Sequence, residues 1–83
     1  MKQASSDLYE FIKTTACLIC DFPHEVRIEL TEAPTMNTIT VFVYCKQSDI
    51  RYIASKIREI KTIAIAIARK HRVFVNLLIG EEE

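Results

Sequence analysis

Glycine and proline are scarce in this sequence. Its 83 residues include one glycine, Gly80, and two prolines, Pro23 and Pro34, and tryptophan is absent. Because glycine and proline form most tight turns, we expect a few long helices and strands joined by short connections. Apolar residues make up 49% of the sequence, which is too high a fraction for an intrinsically disordered chain. A chain of this length forms one domain, residues 1–83, and not two.

Long hydrophobic runs are also missing. No apolar stretch approaches the ~20 residues that cross a membrane as a helix. Charges interrupt the helical pattern that starts near Ser5, whereas a secretory signal peptide has an uncharged apolar core. We therefore expect a cytoplasmic protein that does not associate with membranes.

The three cysteines are odd in number, which indicates no disulfide framework. Cys17 and Cys20 have the spacing of half a zinc site or of a redox pair, but a zinc site needs four ligands. Only Cys45, His24 and His71 are left to complete one. The pair falls near the end of a predicted helix, where the helix dipole opposes a thiolate. We expect buried, unreactive thiols and neither a metal nor a cofactor, with a metal or redox role as the alternative.

The sequence shows no arrangement that is typical of a catalytic site. Neither histidine belongs to a Ser/His/Asp or Cys/His pattern, and there are no paired carboxylates and no phosphate-binding loop. We therefore expect that the protein is not an enzyme and that both histidines have structural roles.

The first half of the chain predicts one helix and a hairpin. Residues 5–20 place apolar side chains three and four apart, with Ser5 or Ser6 as the N-cap. Residues 25–31 alternate apolar and polar side chains, and residues 38–45 are rich in β-branched and aromatic side chains, as strands are. The short connection between the two strands predicts an antiparallel hairpin.

One face of the second predicted strand carries Phe42 and Tyr44 together with two threonines. We expect this face to pack beneath helices or at a dimer interface. Aromatic side chains on an uncovered sheet face can instead stack on bases, which is the alternative.

The second half of the chain predicts a long helix and a third strand. Apolar residues recur at steps of three and four across residues 49–71, with Ser48 as the cap, so periodicity alone predicts one helix there. Residues 73–79 form the third strand, and residues 80–83 a frayed acidic tail. The order of elements predicts an α+β domain, a three-stranded sheet with helices packed on one face.

Charge is segregated along the chain although the net charge is zero. Residues 46–72 contain eight basic and two acidic side chains. The basic ones are Lys46, Arg51, Lys56, Arg58, Lys61, Arg69, Lys70 and Arg72. A polyanion responds to such a local excess of positive charge and not to the overall sum. The segment is therefore a candidate nucleic-acid interface, while a merely solvated polar face and a surface for an acidic protein partner are the alternatives.

The layout resembles a type II KH domain, and in particular the small bacterial proteins of the KhpA type that consist of a single KH domain. The segments that carry the likeness are residues 8–12, 24–29, 49–56 and 64–70. The resemblance covers nearly the whole chain. It implies the order αββααβ, with the last two helices separate or fused, and RNA as the partner.

KH domains bind RNA with a G-x-x-G loop between their last two helices, and the loop position falls at residues 55–58 here. Neither glycine is present, and the bulky Arg58 stands where a glycine would let the RNA backbone come close. The resemblance implies that a degenerate loop and its flanks contact RNA. These residues are Arg51, Ser55, Lys56, Ile57, Arg58 and Lys61. The alternative is a diverged KH-like domain without RNA binding, which serves as a protein-interaction or ribosome-associated module or as a homo-oligomer.

Overall fold

A computed structural model describes residues 1–80 as two long helices and one three-stranded sheet. Three single turns of 3₁₀-helix lie in the connections. The elements are α1 (Lys2–Ile19), β1 (Arg27–Ala33), β2 (Thr38–Tyr44), α2 (Ile50–Lys70) and β3 (Phe74–Ile79). The predicted α+β class is confirmed, with the last two helices of the expected order joined into one.

The sheet is mixed, with strand order β1-β2-β3. β1 and β2 form the predicted antiparallel hairpin, in which Ile28 lies opposite Val43. β2 and β3 run parallel, with Val41 opposite Leu77, and α2 makes the connection between them. A parallel pair needs such a long crossover, so α2 is held across the sheet between the two strands that it joins.

The core lies between the two helices and one face of the sheet. α1 buries residues four apart, and α2 buries a stripe of isoleucine and alanine. From β2, Ile39, Val41 and Val43 point into the same core and are at most 1% exposed. The opposite face of the sheet carries the half-buried Phe42 and Tyr44 and is not covered by a helix. These two aromatics therefore do not pack beneath the helices, and the other half of that expectation, a dimer interface, stays a prediction.

Tertiary contacts move the helix starts away from the predicted serine caps. α1 begins at Lys2 and has no side-chain cap, and the Ser5 hydroxyl donates a hydrogen bond to Glu32 of β1 instead. Before α2, Asp49 is fully buried, and its carboxylate accepts hydrogen bonds from the backbone N–H groups of Asp21 and Phe22 (3.1 and 3.0 Å). Ser5 and Asp49 each form hydrogen bonds with a distant segment of the chain. Sequence rules for helix caps consider only neighbouring residues.

The cysteines are free thiols, of which Cys20 is buried and Cys17 and Cys45 are half-buried. Burial, with a contribution from Cys45, raises the pKa of Cys20 to about 12, so its thiol stays protonated. No group of three metal-ligating side chains occurs within residues 1–80. In the same range, no helix combines the length and the apolar character needed to cross a membrane.

The predicted frayed tail begins at Gly80, but in the structure this residue follows β3 directly and is hydrogen-bonded to β2. The Gly80 N–H donates to the carbonyl oxygen of Val43 (2.8 Å), and the ring of Tyr44 occupies the space that a Cβ at Gly80 would need. A residue without a side chain is therefore required beneath that ring. Residues 81–83 lie outside the described part of the chain.

A hydrogen bond between α1 and the residue that follows α2 makes the free energy of unfolding depend on pH. The carboxylate of Asp7 accepts a hydrogen bond from Nε2 of His71 (2.8 Å), and this contact, with help from Gln3, lowers the pKa of Asp7. A carboxyl group with a lowered pKa in the folded state stabilises above its ordinary pKa, and this stabilisation is lost as the pH falls through the lowered value.

We expect Asp7→Asn to lower the free energy of unfolding at neutral pH. The difference from the unchanged protein should shrink as the pH falls below the ordinary aspartate pKa of about 4. Urea unfolding followed by circular dichroism between neutral and acidic pH measures both, with Glu10→Gln on the exposed side of α1 as the control. Stability curves of the Asp7 variant and the unchanged protein that coincide over the whole pH range would show that the contact with His71 contributes nothing.

Candidate functional site on the long helix

Residues 55–58, the position of the expected loop, lie inside an unbroken helix. α2 continues without interruption from Ile50 to Lys70, and the hydroxyl of Ser55 donates to the carbonyl oxygen of Tyr52 within it (2.9 Å). Backbone N–H groups in the middle of an α-helix already donate to carbonyl groups four residues earlier. A clamp made of backbone N–H groups is therefore absent, and only side chains of this segment can contact a ligand.

Helical geometry divides the six predicted site residues among three sides of α2. Arg51 and Arg58 are seven residues apart and lie within about 20° of each other around the axis. Ser55 and Lys61 flank them, and all four side chains are exposed.

The other two predicted site residues point elsewhere. Lys56 is exposed but lies about 140° around the helix from Lys61. Ile57 is half-buried and packs against the core, so it does not belong to an exposed surface. The structure thus brings together Arg51, Ser55 and Arg58 with Lys61 and separates the other two.

Arg69 belongs to the same side of the helix, although it was not among the six predicted site residues. It follows Arg58 by eleven residues, which places it within about 20° around the axis. The spacings of seven and eleven were the signal in the sequence that identifies this alignment. We call Arg51, Arg58, Lys61 and Arg69 the basic face; it extends for about 27 Å along α2.

The basic face is not neutralised by the rest of the described chain. Arg58, Lys61 and Arg69 are exposed and form no ion pair with any residue between 1 and 80. The guanidinium of Arg51 lies 4.9 Å from the ring centre of its neighbour Tyr52 and donates to its hydroxyl (3.0 Å), which leaves its charge unpaired. Positive charges without acidic neighbours attract an anion more strongly than paired ones.

A groove runs between the basic face and the open edge of the sheet. One cavity of about 720 Å³ lies at the C-terminal end of α2, and a second of about 430 Å³ continues along β3. Ile65, Val75 and Asn76 line both cavities, which join them into one depression. Arg69 borders the first cavity and Lys61 the second, so the groove and the basic face share cationic side chains.

The turn that leads from α2 into β3 is a Schellman motif with an arginine at its left-handed position. Arg72 has φ 60°, its N–H donates to the carbonyl of Arg69, and the N–H of Val73 donates to the carbonyl of Ala68. Glycine is the usual residue at this position because a side chain there costs about 1 kcal/mol. An arginine is therefore held at the cavity at some cost in stability.

Asn37, from the turn between β1 and β2, fixes this arrangement. Its side-chain amide donates to the carbonyl oxygen of Arg72, and its own carbonyl accepts from the N–H of Phe74 (2.8 Å). Asn37 is also left-handed, with φ 52°, a conformation that asparagine adopts more readily than most residues. Hydrogen bonds of Asn37 thus connect the two turns, and they fix the backbone of Arg72 and Phe74 at the cavity.

Comparison with protein-family models, with curated proteins and with solved structures gave no match. The function is therefore argued from the geometry and charge of the site and from the resemblance seen in the sequence.

The continuity of α2 can be tested with glycines. We expect Ser55→Gly combined with Arg58→Gly, which places glycines at both ends of the expected loop, to lower the free energy of unfolding by about 1 kcal/mol, because glycine is a poor helix former. Ser55→Ala combined with Arg58→Ala is the matched control and should leave stability unchanged or raise it. Chemical unfolding measures both variants. If the glycine pair is neutral or stabilising, the segment is a loop and not a helix.

Proposed function

We propose that the protein is a cytoplasmic RNA-binding protein that holds the phosphate backbone on the basic face of α2. The observation that carries this proposal is the alignment of Arg51, Arg58 and Arg69, with Lys61 beside them, on one exposed side without an acidic partner among residues 1–80. Each phosphate that these side chains neutralise releases counterions, which is the main source of affinity in sequence-independent binding.

The resemblance to type II KH domains supports RNA as the nucleic acid. The confirmed order of elements, with α2 in the place of two helices, is what that family would have if its loop became helical. Without the loop, phosphates are bound differently from the way KH domains bind them, because flexible side chains replace fixed backbone N–H groups. We therefore propose weak sequence preference and steep salt dependence.

The residues of the expected RNA site take different roles in this proposal. Arg51, Arg58 and Lys61 contact phosphates. Ser55 lies between Arg51 and Arg58 along the helix axis, and its small side chain leaves room for the RNA strand. Lys56 faces another side of α2 and contributes only to the general field. Ile57 stabilises the core and makes no contact with RNA.

Charge reversal on two sides of the same helix tests the proposal. We expect Arg58→Glu to weaken binding of a mixed-sequence single-stranded RNA by about tenfold and Lys56→Glu, which changes the net charge equally, to weaken it much less. Fluorescence anisotropy at about 50 and 200 mM salt should also show a smaller salt slope for Arg58→Glu, by about 0.7 per lost phosphate contact. Equal losses in the two variants, or no binding by the unchanged protein at low salt, would contradict the proposed function.

A second candidate function, a protein-interaction or ribosome-associated module, is favoured by the uncovered side of the sheet. Phe74 is 70% exposed and Leu78 48%, although both are apolar. β3 is also an edge strand. Because Phe74 and Gly80 bond towards β2, the alternate residues of β3 direct their N–H and C=O groups to the open edge. An apolar edge strand of this kind can pair with another chain, including a second copy of this one.

Leu78→Lys tests the second candidate. If the sheet is a protein interface, this charge should disrupt a homo-oligomer, measured by sedimentation, or a ribosomal or other protein complex that survives RNase treatment. Thr31→Lys, on the same sheet face but on the opposite edge strand, is the control. The second candidate fails if the unchanged protein is monomeric and forms no complex that survives RNase.

A further inference from the structure

Phe74, the first residue of β3, is an exposed aromatic side chain at the mouth of a cavity. Its ring is 70% exposed, and it lines the cavity of about 720 Å³ at the end of α2. This volume lies within the range of about 300–1,000 Å³ that is usual for ligand sites. An exposed aromatic ring contributes little to the folding of the chain, so its position at a cavity suggests a ligand.

The other lining residues define the chemistry of that ligand. The apolar residues Ile65 and Val75 line the cavity, and so do two arginines, Arg69 and Arg72. Asn76 also lines the cavity, and no acidic residue between 1 and 80 does. A matching ligand has a flat apolar part, polar groups at its edge and a negative charge next to it. A nucleotide has all three, because its base stacks on aromatic rings and its phosphate pairs with arginine.

The site is held in place before any ligand arrives. Asn37 bonds to the backbone of both Arg72 and Phe74, so the positions from which the cation and the ring extend are fixed by the fold. Less ordering is then required when a ligand binds, which favours affinity.

We propose that this cavity is a subsite for one unpaired nucleobase, stacked on Phe74, with the adjacent phosphate held by Arg69 and Arg72. The inference rests on the proposed RNA binding and narrows it to single strands, because a base inside a duplex is not free to enter the cavity. Arg69 links the subsite to the basic face, so a strand that follows Arg51 and Arg58 along α2 arrives at the cavity.

Phe74→Ala tests the subsite with two single-stranded RNA probes of equal length, an oligoadenylate and the same backbone with abasic positions. We expect Phe74→Ala to weaken binding of the oligoadenylate by about 5- to 100-fold, as loss of one stacked base does. Phe74→Tyr should bind as the unchanged protein does. The abasic probe should bind Phe74→Ala and the unchanged protein equally. Leu18→Ala, which removes an exposed apolar side chain of α1 outside both cavities, is the matched control.

A second variant distinguishes the contribution of Arg72 to RNA binding from its effect on the stability of the fold. Arg72→Gly suits the left-handed turn better than arginine does, so the variant should be at least as stable. It should still bind the oligoadenylate several-fold more weakly. Circular dichroism confirms that each variant is folded before its binding is compared.

The outcomes distinguish the subsite from the proposed function. If Phe74→Ala binds both probes as the unchanged protein does, or if duplex RNA binds as tightly as the single strand, the subsite is wrong and RNA binding by the basic face stands. If the unchanged protein binds neither probe at low salt, both proposals are overturned. If Phe74→Ala abolishes only an RNase-resistant protein complex, the cavity belongs to a protein partner and the nucleobase assignment is wrong.

Discussion

The packing of one unbroken helix across the parallel pair of strands is the constraint on which the rest of the structure depends. The buried stripe of α2 consists of Ile53, Ile60, Ala64 and Ala68, and the two alanines are at most 1% exposed. Small side chains let a helix lie close to a sheet, while isoleucine supplies most of the apolar area that stabilises the contact. Once this stripe is buried, every charged residue of α2 must point outward. The basic face is therefore a consequence of how the helix packs.

The same helix decides what kind of phosphate binding is available. A loop with glycines offers fixed N–H groups and close approach to a backbone, whereas residues 55–58 offer only side chains. Arginine and lysine side chains lose conformational entropy when they bind, so a face of this kind holds a polyanion with less specificity than a loop does. Selectivity must then come from elsewhere on the surface. The groove beside α2 is the part of the described chain that combines cations, amides and an aromatic ring.

Periodicity predicted the type of every long element and the hairpin, because apolar spacing of two or of three and four reflects burial directly. It did not identify the face of β2 that the helices cover. It also indicated a continuous helix where the family resemblance implied a loop, and the local pattern was the better guide. What it missed depends on contacts between distant segments. Ser5 is hydrogen-bonded to β1, and Asp49 is hydrogen-bonded to the loop after α1. The hydrogen bond between Asn37 and Arg72 connects two turns. The groove exists only because β3 lies parallel to β2 at an edge.

The arginine in the Schellman turn bears on whether the cavity has a function. At this position glycine would relieve a cost of about 1 kcal/mol, and residue 72 is instead a large cation. Residues in sparsely populated backbone conformations cluster at ligand sites, where a use of the side chain offsets the strain. Asn37 holds the turn in place by accepting from the next strand and donating to Arg72. A turn that is stabilised from outside, and that places an arginine two residues before an exposed phenylalanine at the same cavity, is better explained by a ligand there than by folding alone.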